Sequence, residues 1–291
     1  MKVSGFTFVK NAVSFDFPVE ESIRSILPVC DEVVVAVGKS EDDTLGLIRS
    51  INSGKIRIIE TIWDESLREG GRVLADETNK AFDAIAADSD WAFYIQADEV
   101  FHEKDIAKIE AAMFQWKDDK RVEGLVFNHL NFYGSYDYVA DSHNWIKKEI
   151  RVIRNDKSIR SWRDALSFRK DGRKLKVKYV DATIYHYGWV KNPAIQKQKR
   201  VAFDKLWHED EWIEKEHGAV AEFDYSGIDS LAKFTGSHPM VMKERIAKAN
   251  WSFNFNCEMA LKASPRIRLL NWIRKKTGYN LGEYKNYRLI R

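Results

Sequence analysis

The sequence predicts an α/β fold, with a mostly parallel central sheet flanked by helices and a mainly helical C-terminal extension. Over the first 130 residues, strand-like apolar runs alternate with segments of helical spacing. Residues 33–37 form a continuous apolar run, which is typical of a strand covered on both faces. From Asn192 onward the pattern becomes mainly helical. Strands that alternate with helices favour a parallel sheet, with ligands bound at the carboxyl ends of its strands.

The elements can be assigned in order along the chain. Pro18 opens the first helix, and the acidic residues Glu20 and Glu21 favour its first turn. The full set comprises strands at 3–9, 33–37, 55–59, 91–95, 124–130 and 176–187, and helices from 18, at 44–51, after 71 and at 104–115. Residues 132–145 are irregular and aromatic, and a basic stretch covers 147–173. We predict a first domain over 1–200 and a helical extension over 201–291 that packs on it.

Length and composition exclude several classes of protein. The chain has 291 residues, 44% of them hydrophobic and 31% charged, which is typical of a globular protein. Two cysteines, Cys30 and Cys257, are too few for a disulfide framework or a cysteine-based zinc site. No apolar run has the length of a membrane span, and the first residues predict a strand rather than a signal peptide. These features predict a cytoplasmic protein.

Positive charge is concentrated at the C-terminus. The formal net charge is +3, whereas residues 265–291 carry eight Lys and Arg side chains against Glu283 alone. A nucleic-acid-binding protein would place basic residues over its main domain, so we expect no nucleic-acid partner. The same segment contains the apolar residues Leu269, Leu270, Trp272 and Ile273. It fits either peripheral contact with the inner membrane surface or a packed helix, and its mixed helical faces favour the packed helix.

Two adjacent acidic residues, Asp98 and Glu99, follow the strand predicted at 91–95. Carboxylates that emerge from a buried strand are costly unless they bind a cation or a hydrogen-bond donor. Oxygen ligands suit Mg²⁺ or Mn²⁺, which engage one or two carboxylates together with substrate phosphates. The alternative is that the two residues begin a loop and cap the following helix.

Other polar residues lie near predicted strand ends. A cluster of Ser, Asp and Thr around Asp42 either caps a helix or receives a phosphate at its backbone amides. His186, among aromatic residues, is either a satisfied core side chain or, with Asp98, part of a metal site. Arg72 and Asn79 follow a double glycine and either hold a diphosphate or are solvated surface groups.

Seven short segments carry a family resemblance through their order. They are Phe8-Val-Lys-Asn11, Asp31-Glu-Val-Val-Val35, Ser40-Glu-Asp42-Asp43-Thr44, Gly71-Arg72 to Asn79, Gln96-Ala-Asp98-Glu99, Trp145 to Arg154 and His186 to Val190. In this order they resemble the inverting family 2 glycosyltransferases with a GT-A fold. The resemblance covers about residues 1–200.

The resemblance implies a nucleotide-sugar donor of the UDP or GDP type and a divalent cation, Mn²⁺ or Mg²⁺. It assigns the donor diphosphate to Asp98 with its neighbours Ala97 and Glu99, and the metal to Asp98 and His186. It places the nucleotide base and ribose at Val9, Lys10, Asn11 and Asp42. It also implies that Arg72 and Asn79 face the donor.

Two departures from the family's pattern stand out. Gln96 stands where the first aspartate of the Asp-x-Asp motif belongs, which weakens the case for a tightly bound metal. Val37 and Gly38 stand where two aspartates are common, which leaves the donor nucleotide open. Both departures favour an alternative, a non-catalytic carbohydrate- or nucleotide-binding protein on the same fold. A nucleotidyltransferase is a weaker alternative, because no glycine-rich basic loop lies near the N-terminus.

The resulting hypothesis is a hexosyltransferase-type glycosyltransferase that acts on a hydroxyl of a saccharide or another acceptor. The cation would offset charge on the leaving diphosphate, and a carboxylate would take the proton of the attacking hydroxyl, with inversion at the anomeric carbon. The candidate bases are Glu149 and Asp164, and we favour Asp164. For both, ion pairing with neighbouring Lys and Arg side chains is the structural alternative.

Overall fold

Four parallel strands form the N-terminal half of the central sheet. They are β1 (Val3–Val9), β2 (Glu32–Gly38), β3 (Ile56–Thr61) and β4 (Trp91–Tyr94). Side by side, they follow the order β3-β2-β1-β4. The helices between them are α1 (Val19–Ile26), α2 (Thr44–Ser50) and α3 (Arg72–Ala84). The computed structural model describes residues 1–67, 69–218, 220–257, 265–277, 281–282 and 284–290.

The second half of the sheet is mixed. Its elements are β5 (Glu99–Phe101), α4 (Glu103–Trp116), β6 (Gly124–Tyr133), β7 (Ser135–Ala140), β8 (Lys148–Arg154), β9 (Ile159–Trp162), β10 (Ser167–Lys170), β11 (Arg173–Lys174) and β12 (Lys176–Trp189). β8 lies antiparallel between β4 and β6, and β12 runs parallel to β6 on its other edge. β5 pairs antiparallel with β12, whereas β9, β10 and β11 form a separate antiparallel sheet.

The last part of the chain joins the central sheet. Its elements are α5 (Pro193–Asp204), α6 (Asp210–His217), β13 (Leu231–Lys233), α7 (Lys243–Ala247), α8 (Pro265–Thr277) and β14 (Arg288–Leu289). β13 pairs with β7 and β14 pairs with β12. The division of the chain at residue 200 falls within α5 and remains a proposal.

Helices cover both faces of the parallel strands, and the predicted α/β class is confirmed. On one face, Val33 and Val35 share a core with residues of α1, α2 and α4. On the other face, Val34 and Ala36 share a core with α3, whose Phe82 is fully buried. The continuous apolar run of β2 follows from this two-sided burial, because a polar side chain on either face would lose its contact with water.

Residues 132–145, predicted to be irregular, contain β7, and the basic stretch at 147–173, for which no strand was predicted, contains β8, β9, β10 and the start of β11. The strands of the basic stretch were missed for two physical reasons. β8 carries Arg151 as a fully buried side chain, so its sequence lacks the apolar run that marks a covered strand. β9, β10 and β11 have four residues or fewer, which is too short for a period to be recognised.

The basic C-terminal segment forms a helix that packs on the loop after β7. In α8, the Asn271 Oδ1 accepts a hydrogen bond from His143 N at 2.7 Å, and Arg274 Nη2 lies 2.6 Å from Asp141 Oδ1. The packed-helix alternative therefore fits these contacts, and the predicted membrane contact gains no support from them. Glu283, Arg291 and the side chain of Lys275 lie outside the described residues. No helix in the described ranges is long and apolar enough to span a bilayer.

Gly5 of β1 lies at a position where a larger residue does not fit. A Cβ there would lie 2.9 Å from Val33 Cγ2, 3.0 Å from Ile26 Cδ1 and 3.1 Å from Cys30 Sγ. We expect Gly5→Ala to lower the free energy of unfolding by about 1–3 kcal/mol, because the methyl group overpacks the core. Urea unfolding measures the change, with Gly54→Ala as the control, since nothing lies within 4 Å of a Cβ at residue 54. Equal midpoints for Gly5→Ala and the wild type would contradict this expectation.

Candidate active site

A cavity of about 370 Å³ lies at the carboxyl ends of β1 and β4, beside α5. The residues predicted from the sequence that line it are Val9, Lys10, Asn11, Ala97, Asp98, Asp164 and His186. Most of the other lining residues are aromatic or come from α5 and the segment after it, such as Trp63, Gln196 and Lys199. The cavity occupies the edge of the sheet at which open α/β folds bind their ligands.

Asp98 is the charged centre of the cavity. Lys199 Nζ on α5 lies 3.2 Å from Asp98 Oδ2 and donates a second hydrogen bond to the Gly188 carbonyl at 2.9 Å. His186 Nε2 on β12 lies 3.6 Å from the same Oδ2. The Tyr187 N–H donates to the Asp98 carbonyl at 2.8 Å, which ties the loop after β4 to β12. The structure therefore brings Asp98 and His186 together and adds an ammonium group to them.

Gly188 provides the space for this arrangement. A Cβ at residue 188 would lie 2.5 Å from His186 Nε2 and 2.6 Å from Asp98 Oδ2. Because real Cβ atoms do not approach other atoms so closely, any larger residue would push the imidazole or the carboxylate out of place. The His-Tyr-Gly sequence at the end of β12 thus supplies both an imidazole and the gap beside it.

Asn131 fixes the tautomer of His186. The Asn131 side-chain N–H donates to the Ile146 carbonyl at 2.9 Å, so its Oδ1 is the atom that faces His186 Nδ1 at 3.0 Å. An amide oxygen can only accept, and Nδ1 must therefore carry the proton. In the neutral ring this leaves the lone pair on Nε2, the nitrogen that faces Asp98.

Neighbouring groups keep Asp98 ionised. Burial alone would raise its pKa, but Lys199, His186 and Lys191 outweigh burial and hold the pKa of Asp98 well below its usual value. Lys191 is fully buried and donates from Nζ to the Asp16 carbonyl at 2.6 Å. Burial, together with the neighbouring Lys199, lowers the pKa of Lys191 to about 7. Asp98 thus lies beside the ammonium of Lys199 and near a second lysine that is partly charged at pH 7, an environment suited to an anionic ligand.

Glu99 faces the core and not the cavity. Its carboxylate accepts two hydrogen bonds from Arg151, both at 2.6 Å, and His129 Nε2 lies 3.1 Å from Oε1. Burial lowers the pKa of His129 to about 4, so that ring is neutral at pH 7. The resemblance placed Glu99 beside the donor. In the structure, both of its carboxylate oxygens accept hydrogen bonds from Arg151 in the core.

Glu149 is buried and is absent from the cavity lining. Its side chain is 2% exposed, Arg151 Nη1 lies 3.8 Å from Oε2, and within the described residues Oε2 has no hydrogen-bond partner. Burial raises the pKa of Glu149 to about 8, because Arg151 only partly offsets burial and Glu99 and Asp164 add negative charge. This carboxyl holds its proton at neutral pH.

Asp164, the other candidate base, lines the cavity. Its two neighbours, Arg163 and Ala165, have φ angles of 57° and 60°, in the left-handed region that residues other than glycine rarely adopt. Gly71 faces it, and a Cβ there would lie 3.1 Å from the Asp164 Cβ and 2.9 Å from the Trp207 ring. Burial raises the pKa of Asp164, and backbone hydrogen bonds only partly offset this. Such strained backbone is often kept where a side chain must be held in one place.

Hydrogen bonds join the loops after β1 and β2. Asn11 Oδ1 accepts from Glu41 N at 2.9 Å, and Asp42 Oδ2 accepts from Ser14 N at 2.7 Å. Asp43 caps α2 by accepting from the Gly46 N–H at 3.1 Å. The cluster at 40–44 therefore caps a helix and orders the Asn11 loop, while Asp42 itself does not line the cavity.

Arg72 and Asn79 of α3 do not line the cavity either. Arg72 is exposed at the first position of the helix. Asn79 Oδ1 accepts a hydrogen bond from Ser161 N at 2.9 Å, which ties α3 to β9. The structure thus gives Asn79 a role in packing and does not bring either side chain to Asp98.

Sequence reasoning missed the cavity-facing side of α5. Gln196, Lys199 and Phe203 recur at helical spacing and all line the cavity. Gln196 is 2% exposed, and in the part of the chain described here its Oε1 has no hydrogen-bond partner. The helical period was visible in the sequence, but nothing in it showed which face of α5 meets the sheet.

Trp63 fills the space beside Gly38. A Cβ at Gly38 would lie 2.4 Å from Trp63 Nε1, so the indole occupies the space that a side chain at residue 38 would need. Phe8 packs against Trp63 with ring centroids 6.0 Å apart, and Lys10 Nζ lies 5.2 Å above the indole. The wall of the cavity near β1 and β2 is therefore aromatic.

Comparison with known proteins finds only distant similarity. No family model matches the chain, and no curated protein matches it. The structure of S. aureus TarS is similar over 70% of this chain and 39% of that chain, at 12% identity and a TM-score of 0.40. This chain therefore spans well under half the length of TarS. A structure of TarS 1-349 in complex with UDP is similar over 74% of this chain and 69% of that chain, with the same identity and TM-score.

Two other solved structures show similarity of the same order. Glucosyl-3-phosphoglycerate synthase from Mycobacterium tuberculosis, in complex with Mn²⁺, UDP and phosphoglyceric acid, matches 45% of this chain and 43% of its own, at 18% identity and a TM-score of 0.29. 4-diphosphocytidyl-2C-methyl-D-erythritolsynthase from Anaerococcus prevotii matches 70% and 94%, at 14% identity and a TM-score of 0.38. Such similarities are too distant to assign an activity, which we infer from the cavity instead.

The raised pKa of Glu149 predicts a pH-dependent change in stability. The folded state keeps the Glu149 proton up to about pH 8, whereas an ordinary glutamate loses it near 4.5. Stability therefore falls as pH rises through this window, by at most about 1.4 kcal/mol per pH unit. Because Glu149→Gln removes this titration, its Tm relative to the wild type is expected to rise from pH 5 to pH 8.

Thermal unfolding at several pH values measures this difference. Glu110→Gln, on the exposed side of α4, is the control for the loss of one acidic group. Parallel Tm curves for Glu149→Gln and the wild type between pH 5 and pH 9 would show that Glu149 is ionised in the folded protein.

Proposed function

We propose that the protein is a glycosyltransferase that moves a sugar from a nucleoside diphosphate to a hydroxyl acceptor. One observation carries the proposal: Asp98, an ammonium group and an imidazole meet in a cavity that also contains a second carboxyl, Asp164. The first three groups suit the diphosphate of a donor, and Asp164 is suited to accept a proton. A sugar donor requires both functions in one cavity.

The nucleotide end of the donor is proposed to bind near β1. Val9, Lys10 and Asn11 line this side, next to the aromatic rings of Phe8 and Trp63. Aromatic rings can stack on any nucleobase, and Lys10 adds positive charge beside them. A UDP- or GDP-type donor is consistent with this wall. In this proposal Asp42, Arg72 and Asn79 support the loops and helix around the donor, since they do not line the cavity.

Two sources of positive charge can act on the diphosphate. The resemblance implies Mn²⁺ or Mg²⁺ at Asp98 and His186, and the tautomer of His186 directs a lone pair toward Asp98. A divalent cation held there would act as a Lewis acid on the leaving group. The other source is the ammonium of Lys199, 3.2 Å from Asp98 Oδ2. Either would stabilise the charge that develops as the glycosidic bond of the donor breaks.

Asp164 is the proposed general base. The acceptor oxygen forms a bond to the anomeric carbon, and Asp164 takes the proton of that hydroxyl. The bond from the anomeric carbon to the diphosphate oxygen breaks, and its electrons leave with the diphosphate. Attack from the face opposite the leaving group inverts the anomeric carbon. Glu149 has no surface in the cavity, so we give it a positioning role next to Arg151.

A non-catalytic nucleotide- or carbohydrate-binding protein is the second candidate function. The observation that favours it is the environment of Gln96, whose Oε1 lies 3.4 Å from Arg151 Nη2. A neutral amide in contact with a buried guanidinium replaces the first carboxylate of the family's motif. Such a protein would bind the donor and not turn it over.

The first experiment measures binding and turnover together. A panel of UDP, GDP, CDP, dTDP and ADP, and of their sugars, is tested for a rise in Tm, since a ligand that binds the native state must stabilise it. Release of the nucleoside diphosphate from each sugar that binds is then measured with a saccharide mixture as acceptor. Binding with turnover supports the transferase, binding without turnover supports the second candidate, and no binding contradicts both.

Asp164→Asn separates catalysis from binding. The amide cannot take a proton, so we expect kcat to fall by about 10²- to 10⁴-fold while the nucleotide still raises Tm as in the wild type. Asp118→Asn, on an exposed residue far from the cavity lining, is the control for the loss of one acidic group. Near-normal turnover by Asp164→Asn would remove Asp164 from the mechanism.

A further inference from the structure

We propose that Lys199 supplies the positive charge for the donor diphosphate, so that donor binding needs no divalent cation. The inference rests on the proposed function and names the side chain that binds the donor diphosphate. Its starting point is the contact between Lys199 Nζ and Asp98 Oδ2, at 3.2 Å.

The ammonium occupies the side of Asp98 on which a metal would bind. The carboxylate oxygen in contact with Lys199 is the same Oδ2 that faces His186 Nε2 at 3.6 Å. A cation shared by Asp98 and His186 would therefore lie within a few ångströms of a buried ammonium. Two like charges so close repel strongly where little water screens them.

The remaining donors fit a divalent cation poorly. Within the described ranges, no group of three or more His, Cys, Asp and Glu side chains is arranged around one point. The oxygens of Glu99 are occupied by Arg151 and His129, and Gln96 offers only an amide oxygen that Arg151 already approaches. Mg²⁺ and Mn²⁺ are typically held by carboxylates and substrate phosphates, and among the described residues Asp98 is the carboxylate that lies next to His186.

Lys199 is held in place by its neighbours with its ammonium group at the cavity. Its side chain is 11% exposed, and its Nζ lies 4.9 Å from the Phe17 ring and 5.3 Å from the Phe203 ring. Of its three N–H groups, two are directed to Asp98 and the Gly188 carbonyl. Among the described residues no acceptor is found for the third, which can donate to a phosphate oxygen in the cavity that Lys199 lines.

Lys191 adds to this charge from behind. It is fully buried, and its proximity is one of the causes that hold the pKa of Asp98 low. Asp98 neutralises the ammonium of Lys199, and Lys191, whose pKa is about 7, adds part of a positive charge at neutral pH that favours a diphosphate. In this arrangement fixed side chains fulfil the electrostatic task of a metal.

The test compares nucleoside diphosphate binding in chelator and in Mn²⁺. The five nucleoside diphosphates of the panel are titrated into the full chain by calorimetry, in EDTA and then in MnCl₂. We expect wild-type affinity for the nucleotide that binds to agree in the two conditions within a factor of about three. Loss of binding in EDTA with recovery in Mn²⁺ would overturn the inference and leave the proposed function intact. No binding in either condition would contradict the proposed function itself.

Variants of Lys199 test the residue directly. Lys199→Met is expected to weaken binding in EDTA by about 10- to 100-fold, the range of one charge-assisted hydrogen bond. Lys197→Met is the matched control, because Lys197 lies on the same helix but bonds to His217. Binding by Lys199→Met equal to the wild type in EDTA would overturn the inference.

Two further variants keep the result interpretable. If burial of an unpaired Asp98 destabilises Lys199→Met, the double variant Asp98→Asn, Lys199→Met removes both charges and restores neutrality. Lys199→Arg retains the charge and should bind the nucleotide more tightly than Lys199→Met in EDTA. Once the ammonium is gone, Mn²⁺ should also strengthen binding in Lys199→Met but not in the wild type, which a merely structural role would not produce.

Discussion

The buried ion pair between Glu99 and Arg151 is the contact on which the geometry of the cavity depends. The two side chains are 0% and 1% exposed, and two hydrogen bonds of 2.6 Å join them. Removing one partner of such a pair typically costs about 3–5 kcal/mol, because the other charge is left buried. The pair therefore fixes the end of β4 and the start of β5 against β8. With Glu99 held in the core, the preceding Asp98 is presented to the cavity.

Residues from β12 onward form the rest of the cavity around Asp98. His186 and Gly188 come from β12, and Lys199 comes from the helix that follows it. Leu206 and Trp207, beyond the division at residue 200, line the same cavity. The first 200 residues thus contain the charged groups, whereas the cavity wall needs residues of the C-terminal extension. A change that displaced α5 would remove both the ammonium and part of the wall.

Much of the fold and part of the site were predictable from the sequence. The parallel strands and their helices were evident because two-sided burial leaves long apolar runs and regular helical faces. Asp98 and His186 were predicted because each lies at the end of a strand in a recognisable segment, and Asp164 was predicted because it follows the donor-binding half; all three line the cavity. Lys199 was not predicted, because the sequence does not show which of the basic residues of α5 faces the cavity. The resemblance assigned both Asp98 and Glu99 to the donor diphosphate. The structure distinguishes them, because Arg151 binds Glu99 in the core and leaves Asp98 in the cavity.

Gln96 and Lys199 are two parts of one charge arrangement. In an Asp-x-Asp motif, two carboxylates and a divalent cation sum to zero, and here Asp98 and Lys199 alone also sum to zero. A second carboxylate at residue 96 would leave the site negative unless a metal accompanied it, and this would disfavour the diphosphate that we propose to bind there. It would also compete with Glu99 for Arg151, which lies 3.4 Å from Gln96 Oε1. The glutamine is therefore consistent with a site whose cation is part of the chain. Arg151 is already paired with Glu99, so a neutral amide next to it leaves no charge unbalanced.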